Sequence, residues 1–216
     1  MEQIEILLDD REMLVCVKPA GILSQSGKAG EKTMVSLLEK QTGGTVYPVH
    51  RLDREAGGVM VYTKTPEAAA ALSREIQAGR MEKEYLAVLK GVPETPEGLL
   101  RDLLFHDRNR NKTYVVTRSR KGVREARLLY RTLEAKDGLT LVQVRLLTGR
   151  THQIRVQFSS RGTPLLGDGR YGGGGGPLCL WSMALTLETG EGERRRFLRL
   201  PDALGPFAAL SVPDPL

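Results

Sequence analysis

Residues 49 to 64, VHRLDREAGGVMVYTK, place a histidine, an arginine and an acid within four positions, ahead of two glycines and an apolar run. That order predicts a tight loop delivering polar groups and leading into a strand. Asp53 stands apart from most of the 26 acidic residues. Glu82 and Glu84 flank Lys83, for example, whereas Asp53 follows Leu52 and lies between the apolar stretches YPV and VMVY. Such a carboxylate is expected to be partly enclosed. Enclosure raises the cost of its charge, and a nearby arginine offsets this by lowering the pKa by roughly 1 to 3 units. Arg51 and Arg54 are adjacent in sequence, and another arginine can arrive from elsewhere in the fold. Ionised, Asp53 can act as a nucleophile or a base. By itself, an Arg-Leu-Asp tripeptide is more often a structural ion pair closing a turn.

Two further stretches carry residues suited to such a site. KEYLAVLKGV alternates as a strand and contains Tyr85, whose ring offers a stacking face and whose phenol offers a hydrogen bond. A tyrosine on a half-buried strand is usually ordinary core. GRTHQIRVQFSSRG predicts a helix starting near Thr151 and ending by Gly162. Ile154 and Phe158 then share an inward face, while His152, Arg155 and Ser159 share another flank that offers Arg155 to a cleft. His152 and Gln153 are candidates for tying this helix to the Asp53 loop, although a buried, satisfied histidine is the commoner fate.

HRLD followed by small residues, a glycine and an apolar strand resembles the signature of the RluA-type pseudouridine synthases. VKPAGILSQ (17–25), KEYLAVLKG (83–91) and LLTGRTHQIRVQFSSRGTPLLGDGRYG (146–172) follow the family's order and span most of the chain. The resemblance implies isomerisation of specific uridines in ribosomal or transfer RNA to pseudouridine, with the target base flipped from its stack and no cofactor or metal. It implies Asp53 as the catalytic acid, which Arg155 partners, and Tyr85 as the residue stacking on the base. Leu180 would form an aliphatic wall of the uridine pocket, and Arg51 would also contact substrate. Arg150 would bind phosphate. Two departures stand out: Ala56, Gly57 and Gly58 replace the usual Thr-Ser-Gly, and Leu180-Trp181-Ser182 replaces Leu-His-Ala. Some relatives carry an N-terminal RNA-binding S4 domain. Here the pattern begins within about the first twenty residues, so RNA recognition is expected from the catalytic domain itself.

The 216 residues, 40% apolar and 27% charged, suit one globular domain over 1–216. A net charge of +6 permits a polyanionic partner without requiring one. No apolar run is long enough for a membrane span, and the N-terminus lacks a signal-peptide pattern, so a cytoplasmic monomer is expected. Cys16 and Cys179 sit in apolar runs and read as small hydrophobes, with no metal spacing around them.

Local signals set the elements. EMLVCVK reads as a strand stopped by Pro19, and Thr33 to about Thr42 as a short helix stopped by Gly43-Gly44. TPEAAAALSREIQAGR has Thr65 as N-cap, Pro66 at the first helical position and Gly79 as terminator. Residues 93 to 100 read as a loop. From Arg108 to Arg124, TYVVT is flanked by basic residues, including Lys112, Arg120 and Lys121, which suggests a hairpin with a Lys121-Gly122 turn. It could grip phosphates or simply be a solvated edge. EARLLYRTLE and LTLVQVRLL pair across Asp137-Gly138. GDGRYGGGGG reads as a flexible loop lacking the pattern of a strand–loop–helix phosphate cradle. LCLWSMALTLE and RRRFLRLP are further strands, and the Pro-rich tail to Leu216 is expected to be irregular.

The fold class is α+β, with a mixed, mostly antiparallel sheet and flanking helices, and the resemblance implies a central cleft holding the site. Two rivals are a non-catalytic RNA-binding protein on the same scaffold and a hydrolase using His50 or His152. The second would need an activated nucleophile or a metal, and no G-x-S-x-G or His-x-x-x-His pattern is present.

Overall fold

The structure is a computed structural model that describes residues 3–25, 31–189, 192–202 and 207. The tail beyond 207, expected to be irregular, lies outside the described residues. In chain order the elements are β1 (Ile6–Asp9), β2 (Met13–Lys18), α1 (Met34–Thr42), β3 (Tyr47–Pro48), β4 (Gly57–Thr63), α2 (Pro66–Gln77), β5 (Glu82–Lys90), β6 (Glu97–Asp107), β7 (Lys112–Val116), β8 (Val123–Lys136), β9 (Leu139–Leu146), α3 (Gln153–Ser159), β10 (Leu180–Glu188) and β11 (Arg194–Leu198). The α+β class and the mostly antiparallel pairing are as expected. No helix among the described residues is long and apolar enough to cross a membrane.

The chain folds as two compact units. The first comprises Met1–Lys83 with Ser182–Leu200, the second Glu84–Trp181 with Pro201–Leu216. In unit 1 the strands run β1-β2-β4-β10, with β3 paired to β4 and β11 to β10. β2 and β4 are buried at every position, so both faces of this hairpin-like pair are covered. Met13, Val15, Val59, Val61, Leu185, Leu187 and Phe197 form one core cluster, closed by Leu72 of α2 and by Met81. The signals at the ends of α2 act as the sequence predicts. The Thr65 side chain accepts from the Ala68 N–H, Pro66 opens the helix, and Gly79 turns out of it at φ 75°. Cys16 and Cys179 are both buried, and burial pushes both thiols up to about 12.

In unit 2 the order is β5-β9-β8-β6-β7. β8 alternates buried Ala126, Leu128 and Tyr130 with exposed Arg127, Leu129 and Arg131. The short helix α3 covers the buried face. Val156 joins Leu104, Ala126 and Tyr171 in a cluster, and the Phe158 ring meets the edge of Tyr130 at 5.3 Å between centroids. Asp137 and Gly138 take positive φ, 52° and 74°, and join β8 to β9 as expected.

Several elements differ from the sequence reading. β5 does not alternate, because Tyr85 to Leu89 are buried without interruption. β6 begins at Glu97, inside the stretch read as a loop. The basic segment's strand, β7, pairs back onto β6, with Phe105 opposite Tyr114, and the Lys121-Gly122 turn leads into β8 on the other edge of β6. α3 starts at Gln153, two residues later than expected near Thr151, because His152 takes a left-handed conformation at φ 55° and gives no side-chain cap.

Candidate active site

The Asp53 loop bridges β3 and β4 in unit 1, and buried polar groups hold it by its backbone. Ser24 is the central clamp. Its hydroxyl donates to the Leu52 carbonyl at 2.9 Å and accepts the Leu52 N–H at 3.0 Å, while the Tyr62 phenol donates to the Ser24 carbonyl at 2.7 Å. On the other side, Gly21 and Arg54 exchange two bonds: Gly21 N–H to the Arg54 carbonyl at 2.8 Å and Arg54 Nε to the Gly21 carbonyl at 3.0 Å. Between these anchors Asp53 is half-buried, with Leu52 buried and Arg51 and Arg54 exposed. The enclosure expected of Asp53 is therefore present.

Lys18 carries the most informative electrostatics beside the loop and is not among the site residues expected from the sequence, although the VKPAGILSQ stretch that holds it is part of the resemblance. It is 0% exposed at the end of β2. Its Nζ donates to the Pro19 carbonyl at 2.9 Å and the Arg54 carbonyl at 3.1 Å. Burial pushes its pKa down to about 8, against the opposing pull of Asp53 and Glu55. A buried ammonium thus braces the backbone one residue beyond Asp53 and adds positive potential to that carboxylate. Its signal was a lysine closing an apolar strand just before Pro-Ala-Gly.

The histidine of the motif is a structural acceptor. His50 Nε2 accepts the Val61 N–H at 3.1 Å. Burial pushes the imidazole down to about 3, with Lys83 adding to the effect, so the ring is neutral at pH 7. With Nε2 taken up by the Val61 N–H, that nitrogen is not open to act as a base, which counts against the hydrolase reading for His50. Gly58 shows why the small residues after the acid are needed: at φ 117°, a Cβ would lie 2.2 Å from the Ser182 carbonyl oxygen. Ser182 in turn donates its hydroxyl to the Val59 carbonyl at 3.0 Å.

In unit 2, Tyr85 lies buried on β5 and Leu180 buried at the start of β10. Cys179, just before Leu180, accepts the Val88 N–H of β5 at 3.2 Å. Arg155 sits on α3, its side chain 5% exposed, and forms a bidentate pair with the fully buried Asp168, Nε–Oδ2 2.7 Å and Nη2–Oδ1 2.8 Å. Asp168 gives no local signal of this role, because GDGRYGGGGG reads as a flexible loop. The structure corrects this for its first part. Asp168 Oδ1 also accepts the N–H groups of Arg170 and Tyr171, each at 3.2 Å, and Gly173 N–H donates to the Asp168 carbonyl at 2.8 Å.

Tyr171 is the hub of this cluster. The shared flank expected of His152, Arg155 and Ser159 converges on it: His152 Nδ1 lies 2.9 Å from its phenol, the Arg155 guanidinium 5.3 Å from its ring centroid, and Ser159 Oγ donates to its carbonyl at 2.6 Å. The phenol also accepts the Thr113 N–H of β7 at 2.8 Å. Burial raises the Tyr171 pKa above the ordinary tyrosine value. Gln153 holds the approach to α3, its Oε1 accepting from Thr148 Oγ1 at 2.8 Å and Arg150 N–H at 3.0 Å.

Of the basic candidates, Lys112 is half-buried, its Nζ 5.5 Å from the Tyr171 ring centroid. Arg120, Lys121 and Arg150 are exposed. The Arg120 guanidinium lies 4.8 Å from the Phe105 centroid, and Arg150 Nε donates to the Glu125 carbonyl at 2.9 Å.

The segment holding the Asp53 loop, β5 and α3 is also what known proteins share with this chain. Residues 12–160 match the model of the RNA pseudouridylate synthase family. The chain belongs to that family. Its relatives fit the RluA type. It is 34% identical over 179 residues to "Uncharacterized RNA pseudouridine synthase YhcT" of Bacillus subtilis (strain 168), covering 80% of this chain and 59% of that one. It is 35% identical over 176 residues to "Ribosomal large subunit pseudouridine synthase D" of Xanthomonas campestris pv. campestris, covering 79% of this chain and 52% of that one. The chain thus spans somewhat over half the length of these curated relatives. Among solved structures, "Human RNA Pseudouridylate Synthase Domain Containing 4" shares the fold at TM-score 0.77 and 23% identity, covering 94% of this chain and 90% of that one.

Proposed function

We propose that this chain is a cofactor-independent RNA pseudouridine synthase acting on a uridine in structured ribosomal or transfer RNA. The observation that carries the reading is the half-buried Asp53 on a loop clamped by Ser24, Gly21 and Lys18, inside the segment the family shares. In the reaction the N1–C1′ bond breaks, the base turns, and C5 bonds to C1′. The C5 proton then leaves to solvent and N1 is protonated. No group is transferred and no oxidation state changes, so side chains suffice. Asp53 acts as the nucleophile at C1′ or as the base that forms a glycal; both routes require it ionised. Arg155 favours that ionised state. Tyr85 stacks on the base, Leu180 forms an apolar wall, and Arg51 contacts the substrate strand. Flipping the target costs a few kcal/mol, offset by stacking and by phosphate contacts from Lys112, Arg120, Lys121 and Arg150.

The test is to incubate unmodified ribosomal and transfer RNA transcripts with the chain and map pseudouridine by carbodiimide labelling and primer extension. Discrete stops at one or a few uridines are expected. An unmodified profile on both RNA classes with intact binding would favour the non-catalytic RNA-binding reading.

A further inference from the structure

Tyr171 is buried and joins β7 to α3 within unit 2, yet the proposed reaction gives it no part. Its partners fall into two groups. On the helix side, the phenol meets His152 Nδ1 and the ring meets the Arg155 guanidinium. On the side of β7, the strand of the basic hairpin, the phenol accepts the Thr113 N–H and Lys112 Nζ lies 5.5 Å from the ring centroid.

Thr113 adds a second tie between the same elements. It is buried, and its hydroxyl donates to the Thr151 carbonyl at 2.8 Å. A hydroxyl has one hydrogen, so in the 3.0 Å contact between Thr113 Oγ1 and His106 Nδ1 the imidazole is the donor. β7 is thus bonded to both residues that lead into α3, to Thr151 directly and to His152 through Tyr171. His152 needs that support. It holds φ 55° without being glycine, and no side-chain cap fastens the helix start. Strained backbone of this kind persists only where the surroundings over-determine it. Arg155 stands three positions further on, within the first turn of α3, so whatever holds His152 also sets where the guanidinium lies.

Lys112 gives the junction something to respond to. Half-buried on β7, its ammonium meets the rings of Tyr171 and Tyr114 and no carboxylate among the described residues. A cation held in place without a counter-charge suits a phosphate. We propose that Tyr171 is a positioning residue: through it and Thr113, engagement of an RNA phosphate by Lys112 sets the position of Arg155 for the reaction. This rests on the proposed roles of Lys112 and Arg155. Part of the binding energy gained on the hairpin then appears in the rate of the chemical step and not in affinity.

The test uses the full chain as wild type, Tyr171→Phe, Thr113→Val, Lys112→Gln and the Lys112→Gln/Tyr171→Phe double variant. Tritium release from unmodified ribosomal and transfer RNA labelled at uridine C5 is followed in a single turnover, with protein in saturating excess over RNA. That rate constant belongs to the bound complex, so a partly unfolded preparation leaves it unchanged. Each single substitution is expected to slow release by about ten- to a hundredfold. RNA affinity should be little changed in Tyr171→Phe and Thr113→Val. The double variant should react about as slowly as Tyr171→Phe alone, because both substitutions break one link. Wild-type rate constants in Tyr171→Phe and Thr113→Val would overturn the positioning role. Losses that multiply in the double variant would show two independent effects and overturn the link from Lys112 to Arg155. A wild type that binds RNA of both classes and releases no tritium would overturn the assignment together with the proposed function.

Discussion

Lys18 is the residue whose chemistry depends most on the fold. Buried, it titrates near 8 against 10.5 for an ordinary lysine, so between those values the unfolded chain binds more protons. Stability must then rise with pH across that window: the penalty for the buried charge is fully present below about 8 and relieved by 10.5. Its size is on the order of 3 kcal/mol. The unfolding free energy of the wild type minus that of Lys18→Met, followed by denaturant titration, should therefore grow over this range. A flat difference would contradict burial as the cause. Gly58 makes a steric prediction. Gly58→Ala places a Cβ 2.2 Å from the Ser182 carbonyl oxygen at φ 117°, and it should cost at least about 2 kcal/mol of stability. An unchanged thermal midpoint would show that the two strands can separate there.

At the scale of elements, the Arg155–Asp168 ion pair and the Tyr171 phenol are among the groups that fasten α3 and the loop after it. Asp168→Asn leaves the buried Arg155 without its full counter-charge, and breaking a buried pair from one side costs about 3 to 5 kcal/mol. Thermal denaturation should show that loss, and the proposed activity should fall with it. Tyr171→Phe removes the acceptor of the Thr113 N–H and the partner of His152, a loss of about 1 to 3 kcal/mol. Amide exchange at Thr113 should accelerate, whereas exchange in β2 should be unaffected. Elements were legible in the sequence where their signals are local. Thr65, Pro66 and Gly79 bound α2 through bonds within a few residues, and Asp137-Gly138 determines its own turn. The half-buried setting of Asp53 was legible because the apolar stretches around it are contiguous in sequence. Lys18 and Asp168 were not, because their roles depend on partners 36 and 13 residues away, Arg54 and Arg155. The uninterrupted burial of β5 escaped for a related reason: whether a strand is covered on one face or both depends on its neighbours.

At the scale of the whole molecule, the net charge of +6 becomes meaningful once the RNA pseudouridylate synthase family is established. The proposed binding to structured RNA should weaken at least about tenfold between 50 and 200 mM salt, measured by filter binding. Salt-independent binding would remove phosphate neutralisation as the basis of recognition. The most direct measurement is tritium release from RNA labelled at uridine C5, comparing the wild type with Asp53→Asn at matched RNA occupancy. Release by the wild type and none above background by the variant is the predicted result. Equal release by both proteins would contradict the assignment of Asp53 as the catalytic carboxylate.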